Sequence, residues 1–153
     1  YMSVTDVLLL FADVFLLVLF GTALSSVINF FLSSQGQISA VGTIISAGYG
    51  FISGAYMPIS SFGEGMQNAM ALLPSTYSTS LVRNHSLRGA FAAMEKEGVP
   101  ADALEGIKTS LDCNLAFFGN DVSVQAMYCI LAVTVFALIG IYILLNAYKK
   151  KKD

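Results

Sequence analysis

The sequence predicts an all-α, polytopic membrane protein with three transmembrane helices, a short re-entrant or interfacial helix pair, and an amphipathic external segment. Three observations carry this expectation. Of 153 residues, 56% are hydrophobic and only 12% charged, whereas about a quarter of a soluble domain is charged. Three stretches, 7–32, 38–57 and 122–147, reach the roughly 20 mostly apolar residues that a bilayer crossing needs. The third is followed at once by Lys149, Lys150, Lys151 and Lys152.

The first span is apolar on every side of a helical wheel, which excludes the one-faced surface helix of a soluble protein. It lacks the basic leader and small-residue cleavage site of a signal peptide, and it is too long for one. The chain begins with Tyr1 rather than an initiator Met, as a fragment or processed piece would. Asp13 lies inside this span, where a carboxylate costs about 2.5–3.5 kcal/mol at the bilayer centre. The surrounding Leu, Val, Ile and Phe residues contribute about 0.3–0.6 kcal/mol each, so insertion remains favourable. Asp13 is therefore expected to face protein or a water-filled path. It is a candidate for a translocation path, or for a polar contact with another helix or headgroup water.

In the second span Gly42, Ser46, Gly50 and Gly54 recur every fourth residue, and the last two form a GxxxG step. Such a stripe allows close backbone approach, which is what associates helices in lipid. It marks packing within a bundle, a subunit interface or a sliding surface. The 33–37 turn that precedes this span is short and uncharged.

Residues 59–121 form the expected external segment. Pro58 ends the second span, because it has no N–H to donate. Ser61-Phe62-Gly63-Glu64 has the spacing of a capping box, predicting a helix through Met66 and Met70 that stops at Pro74, too short to cross a bilayer. A second short helix is expected from Ser75 towards Arg83, giving a re-entrant pair over 61–83. An amphipathic region, 86–111, is broken at Gly98-Val99-Pro100. Asn120 or Asp121 is the expected cap of the third span. The lysine run, a stop-transfer anchor or a site for anionic lipid headgroups, makes 148–153 a cytoplasmic tail. That places 59–121 and Tyr1 outside.

Other chemistries find little support. A net charge of −2 gives no reason to expect nucleic acid. His85, beside Arg83 and Arg88, reads as a solvated headgroup-level residue, and Asn84-His85-Ser86 matches a glycosylation sequon. Cys113 is expected outside and Cys129 within the third span, so no disulfide follows, and neither has zinc-site spacing. Ser53 between glycines lacks a base within reach for an intramembrane serine protease. Gly106-Ile107-Lys108-Thr109 lacks the glycines of a phosphate-binding loop.

The stretch 46–83, SAGYGFISGAYMPISSFGEGMQNAMALLPSTYSTSLVR, resembles the permeases of the ABC type-2 exporter family. The matching features are Ser53-Gly54, Met57-Pro58, the short helix up to Leu73, Leu73-Pro74 and Thr76-Tyr77. The resemblance extends over essentially the whole chain, as the fourth to sixth helices of such a permease. It implies the C-terminal half of an ATP-driven exporter, in a cell membrane, which alone is not expected to transport. It implies as partners the N-terminal half of the permease, a second permease copy and a cytoplasmic ATP-binding-cassette ATPase. ATP and Mg then belong to that partner; this chain is not an enzyme and carries no cofactor or metal. The stripe from Gly42 to Gly54 is implied at the dimer interface. Pro58 and Pro74 are implied as re-entrant turns, with Phe62, Met66 and Met70 as candidates for an outer gate. The alternative is a non-catalytic membrane scaffold or assembly subunit.

Overall fold

The computed structural model describes residues 2–152. The expected positions of Tyr1 and of the tail end at Asp153 fall outside the described residues, as does the Lys152 side chain. Helix α1 spans Val4–Phe30. Asp6 folds back to accept the Ser3 backbone N–H at 2.9 Å, which satisfies one orphan donor and sets a carboxylate at the positive end of the helix dipole. Helix α2 spans Gln35–Ile52 and opens on a reciprocal capping box. Ser34 Oγ accepts from the Gln37 N–H, and Gln37 Oε1 from the Ser34 N–H, both at 3.3 Å.

A 3-10 turn at Ile59–Ser61 precedes α3 (Glu64–Met70), which Gly63 caps without a side chain. The expected capping box at Ser61–Glu64 is thus absent: the tight turn uses Ser61, so Glu64 becomes the first helical residue. Helix α4 spans Pro74–Lys96, with Pro74 in the first turn, where a missing N–H costs nothing. A separate short helix ending near Arg83 is not observed. Asn84-His85-Ser86 contains no breaker, and α4 runs on until Gly98, whose φ of +85° ends it. Helix α5 (Ala101–Ser110) follows the expected break.

The all-α expectation misses one feature, a two-stranded antiparallel hairpin of β1 (Leu115–Phe117) and β2 (Asn120–Val122). Its turn residues Phe118 and Gly119 both have positive φ, 49° and 78°, the signature of the turn whose twist matches paired strands. Because Asn120 and Asp121 lie in β2, neither caps the last helix. Ser123 does, its Oγ accepting from the Ala126 N–H at 3.2 Å. Helix α6 then spans Val124–Lys152 and continues through the lysines instead of ending at 147.

Two helices, α1 and α6, are long and apolar enough to cross a membrane. Only 17% and 11% of their most apolar stretches are buried within the chain, so most of that surface needs lipid or further protein. The second expected span, 38–57, is the shorter helix α2, diluted by Gln35, Gln37 and its glycines and without a buried residue.

The interior forms where α1, α4 and α6 pack together. Asp6, Asp13 and Phe20 are buried at seven-residue steps on α1, two turns apart and so on one face. On α4 the buried series is Tyr77, Leu81, His85 and Gly89, and on α6 it is Met127, Leu131 and Val135, both at four-residue steps. Ile59, Met70 and Leu115 pack onto Tyr77, Leu81, Met127 and Leu131, so the segment after α2 is folded against the helices and does not trail away.

Gly54 makes the turn that returns the chain. Its φ is +77°, and a Cβ there would lie 2.7 Å from Ile59 Cγ1. Left-handed backbone costs a non-glycine residue about 1–2 kcal/mol before any clash. Gly54→Ala should therefore lower unfolding stability in detergent by about 2 kcal/mol. Gly106→Ala, in the middle of α5 with open space around it, should raise it by about 0.5–1 kcal/mol. Equal effects of the two would contradict the turn geometry.

Candidate functional site

Two buried carboxylates organise the polar chemistry. The first is Asp13, 1% exposed in the middle of α1. Its Oδ2 lies 2.6 Å from His85 Nδ1 on α4, and its Oδ1 accepts a short hydrogen bond from the Tyr128 hydroxyl on α6. The sequence expectation of a solvated His85 is corrected here, because the residue is 6% exposed. Its neighbours Arg83 and Arg88 keep part of their own side chains in water, but position 85 falls on the buried four-residue stripe of α4. The imidazole and the Tyr128 ring stack at 6.3 Å between centroids. Towards the start of α1, Asp6 meets Arg88 at 3.4 Å; Arg88 is mostly exposed and reaches in from the rim.

The second is Asp112, held at a φ of 54° between α5 and β1. Asp112 Oδ2 accepts from the Ile59 N–H at 2.5 Å and from Arg83 Nη1 at 2.8 Å, and Oδ1 accepts from the Ser60 N–H at 3.0 Å. Arg83 Nη2 also donates to the Gly54 carbonyl at 2.5 Å. Ser80 Oγ donates to the Asp112 carbonyl and Asn84 Nδ2 to the Cys113 carbonyl, each at 2.7 Å. These bonds tie the Gly54 turn, the 3-10 turn and the α5–β1 corner to one face of α4. With its amide so used inside a helix, Asn84 has no geometry for the sequon role.

The residues of the expected gate separate. Met70 is buried in the interior, Phe62 packs against it and Met66 is exposed. Pro58 caps the 3-10 turn and Pro74 starts α4, so both act at turns. The Gly42, Ser46 and Gly50 positions line a groove of about 470 Å³ between α1 and α2, which Ser53, Ser75 and Thr79 also line. Close approach occurs at Gly50, but within the chain: a Cβ there would lie 2.4 Å from the Tyr56 ring, whereas Gly42 has open space.

What these arrangements can do follows from their chemistry. The Asp13 cluster can hold a proton. His85 Nδ1 bonds Asp13 and, among the described residues, no serine hydroxyl. Among the described residues no group of His, Cys, Asp and Glu could hold a metal. Cys113 is 2% exposed, and burial pushes its thiol up, against the pull of Arg83.

No known protein family, curated protein or solved structure matches this chain. His85, Tyr128, Arg83 and Asp112 are the residues that sequence reasoning did not assign to a site. The four-residue step Tyr77, Leu81, His85, Gly89 is the signal that finds His85. Nothing local pairs it with Asp13 or pairs Arg83 with Asp112.

Asp112→Ala strands two backbone N–H groups and the Arg83 guanidinium, a loss of about 3 kcal/mol in detergent unfolding, with Asp112→Asn intermediate. A raised, buried thiol also predicts that Cys113 resists maleimide at about pH 8 until the protein unfolds. Mass spectrometry showing native-state labelling at Cys113 would contradict this burial.

Proposed function

We propose that this chain is a permease half of an ATP-driven exporter of the ABC type-2 kind. In this reading α1, α2 and α6 cross the bilayer, and the segment from Gly54 to Lys96 dips back into its outer leaflet. Energy comes from a cytoplasmic ATP-binding-cassette ATPase, and the N-terminal half of the permease and a second copy complete the pathway. Lys149 to Lys151 remain on the cytoplasmic side, because basic residues flanking a span are retained there.

One observation carries the reading: the residues on which the resemblance rests are those that hold the returning segment in place. Gly54 makes the left-handed turn, Pro58 caps the 3-10 turn, and Pro74 starts α4. Thr76 Oγ1 donates to the Met70 carbonyl at 2.7 Å, and Tyr77 Oη to the Ala71 carbonyl at 2.6 Å, closing the free end of α3. A hydrated tether has no use for such bonds, since water would satisfy the same carbonyls. The Gly42 end of the small-residue stripe, where a Cβ would meet nothing, suits a further helix, because α2 buries no residue within the chain. Met66, exposed beside buried Met70, is the gate candidate left facing outward.

Extraction of the tagged protein from its native membrane in mild detergent tests this. It should bring with it an ATP-hydrolysing subunit in near-equal amount. Recovery of an assembly without any ATPase would point to the scaffold alternative. Cysteines placed at Asp121 and Lys150 check the orientation: an external reagent should label the first in intact cells and spare the second.

A further inference from the structure

We propose that Asp13, His85 and Tyr128 form a proton-binding site at the junction of α1, α4 and α6. Asp13 and His85 are both buried, so charge balance decides what the cluster holds. Among the described residues the charged or titratable groups facing this seam are few. On α1 they are Asp6 and Asp13; on α4, Tyr77, whose hydroxyl donates to the Ala71 carbonyl, Arg83, His85 and Arg88; on α6, Tyr128. Arg83 is committed to Asp112 at 2.8 Å and Arg88 to Asp6 at 3.4 Å. From Val124 to Tyr148, α6 has no Asp, Glu, Lys or Arg. Asp13 is thus left, among the described residues, with no cation unless His85 takes a proton.

An unpaired carboxylate withdrawn from water is strongly disfavoured by desolvation. One added proton turns the cluster into a neutral imidazolium–carboxylate pair. His85 Nδ1 and Asp13 Oδ2 are already in direct contact at 2.6 Å. Tyr128 fills the other oxygen as a neutral donor, so the site takes one proton and no larger cation. Entry runs through His85, whose side chain is 8% exposed against 0% for Asp13. Nδ1 is the nitrogen on the carboxylate, which leaves Nε2 to exchange protons with the outside. No bond other than N–H forms or breaks. With the proton bound, the ion pair draws α4 onto α1; without it, the contact is a hydrogen bond from a neutral ring, and the seam loosens.

His85 is the only histidine in the chain, so isotope labelling reads this site alone. The test uses the full chain with nitrogen-15 histidine in phospholipid nanodiscs, followed by NMR from about pH 5.5 to 8, the range in which histidine charge changes. The expected spectrum shows both ring nitrogens protonated at about pH 7, with the imidazolium fraction falling about tenfold in Asp13→Asn. Tyr128→Phe, which frees more of the carboxylate charge, should raise that fraction and supplies a second arm if Asp13→Asn does not fold. A single neutral tautomer throughout the range would overturn the proposal. So would equal imidazolium fractions in wild type and both variants. The readout is the proton itself, so its result stands apart from whether an ATPase partner is recovered.

Discussion

Asp13 has no water to turn to, and each of its oxygens is taken by a side chain from a different helix. In an apolar seam an unsatisfied carboxylate is far more expensive than a lost hydrophobic contact, so the position of this residue fixes what may lie next to it. α4 must present His85, and α6 must present Tyr128. Once those registers are set, the neighbouring residues follow. Leu81 lies one turn before His85 on α4, Met127 directly precedes Tyr128 on α6 with Leu131 one turn beyond it, and the apolar interior closes around them. Register in a bundle of otherwise interchangeable apolar residues is weakly determined, and a paired polar group is what determines it here.

Asp112 plays the corresponding part for the segment that has no long helix of its own. Its carboxylate receives two backbone N–H groups and a guanidinium, while the guanidinium reaches a carbonyl at the end of α2. A loop of this kind otherwise relies on water for its backbone groups. Binding them to one aspartate makes the Gly54–Ser61 stretch part of the packed structure. The left-handed backbone at Asp112 is the local cost, which several hydrogen bonds offset.

Long-range order in the sequence was legible where it rested on run length and on prolines. The apolar runs that become α1 and α6, the start of α4 at Pro74 and the break at Gly98 depend on local chemistry, and local chemistry is what a sequence displays. The capping pattern at Ser61–Glu64 misled because a 3-10 turn and a capping box compete for the same serine. The hairpin at Leu115–Val122 escaped because three-residue strands have no periodicity to detect. His85 was misplaced for a different reason. Two arginines nearby suggested water, but a partner 72 residues away decided its burial. The seven-residue step of Asp6, Asp13 and Phe20 did record that α1 keeps one face for protein, although nothing in it named the face it meets.

The unbroken course of α6 through its lysines has a mechanical consequence. Twenty-nine residues at about 1.5 Å each give a rod of about 43 Å, against about 30 Å of hydrocarbon. In a bilayer crossing the excess would project beyond the lipid as helix, unbroken from Tyr128 to Lys151. Any tilt or twist imposed on the cationic stalk is transmitted to the tyrosine as a lever transmits torque, and movement at the tyrosine swings the stalk in return.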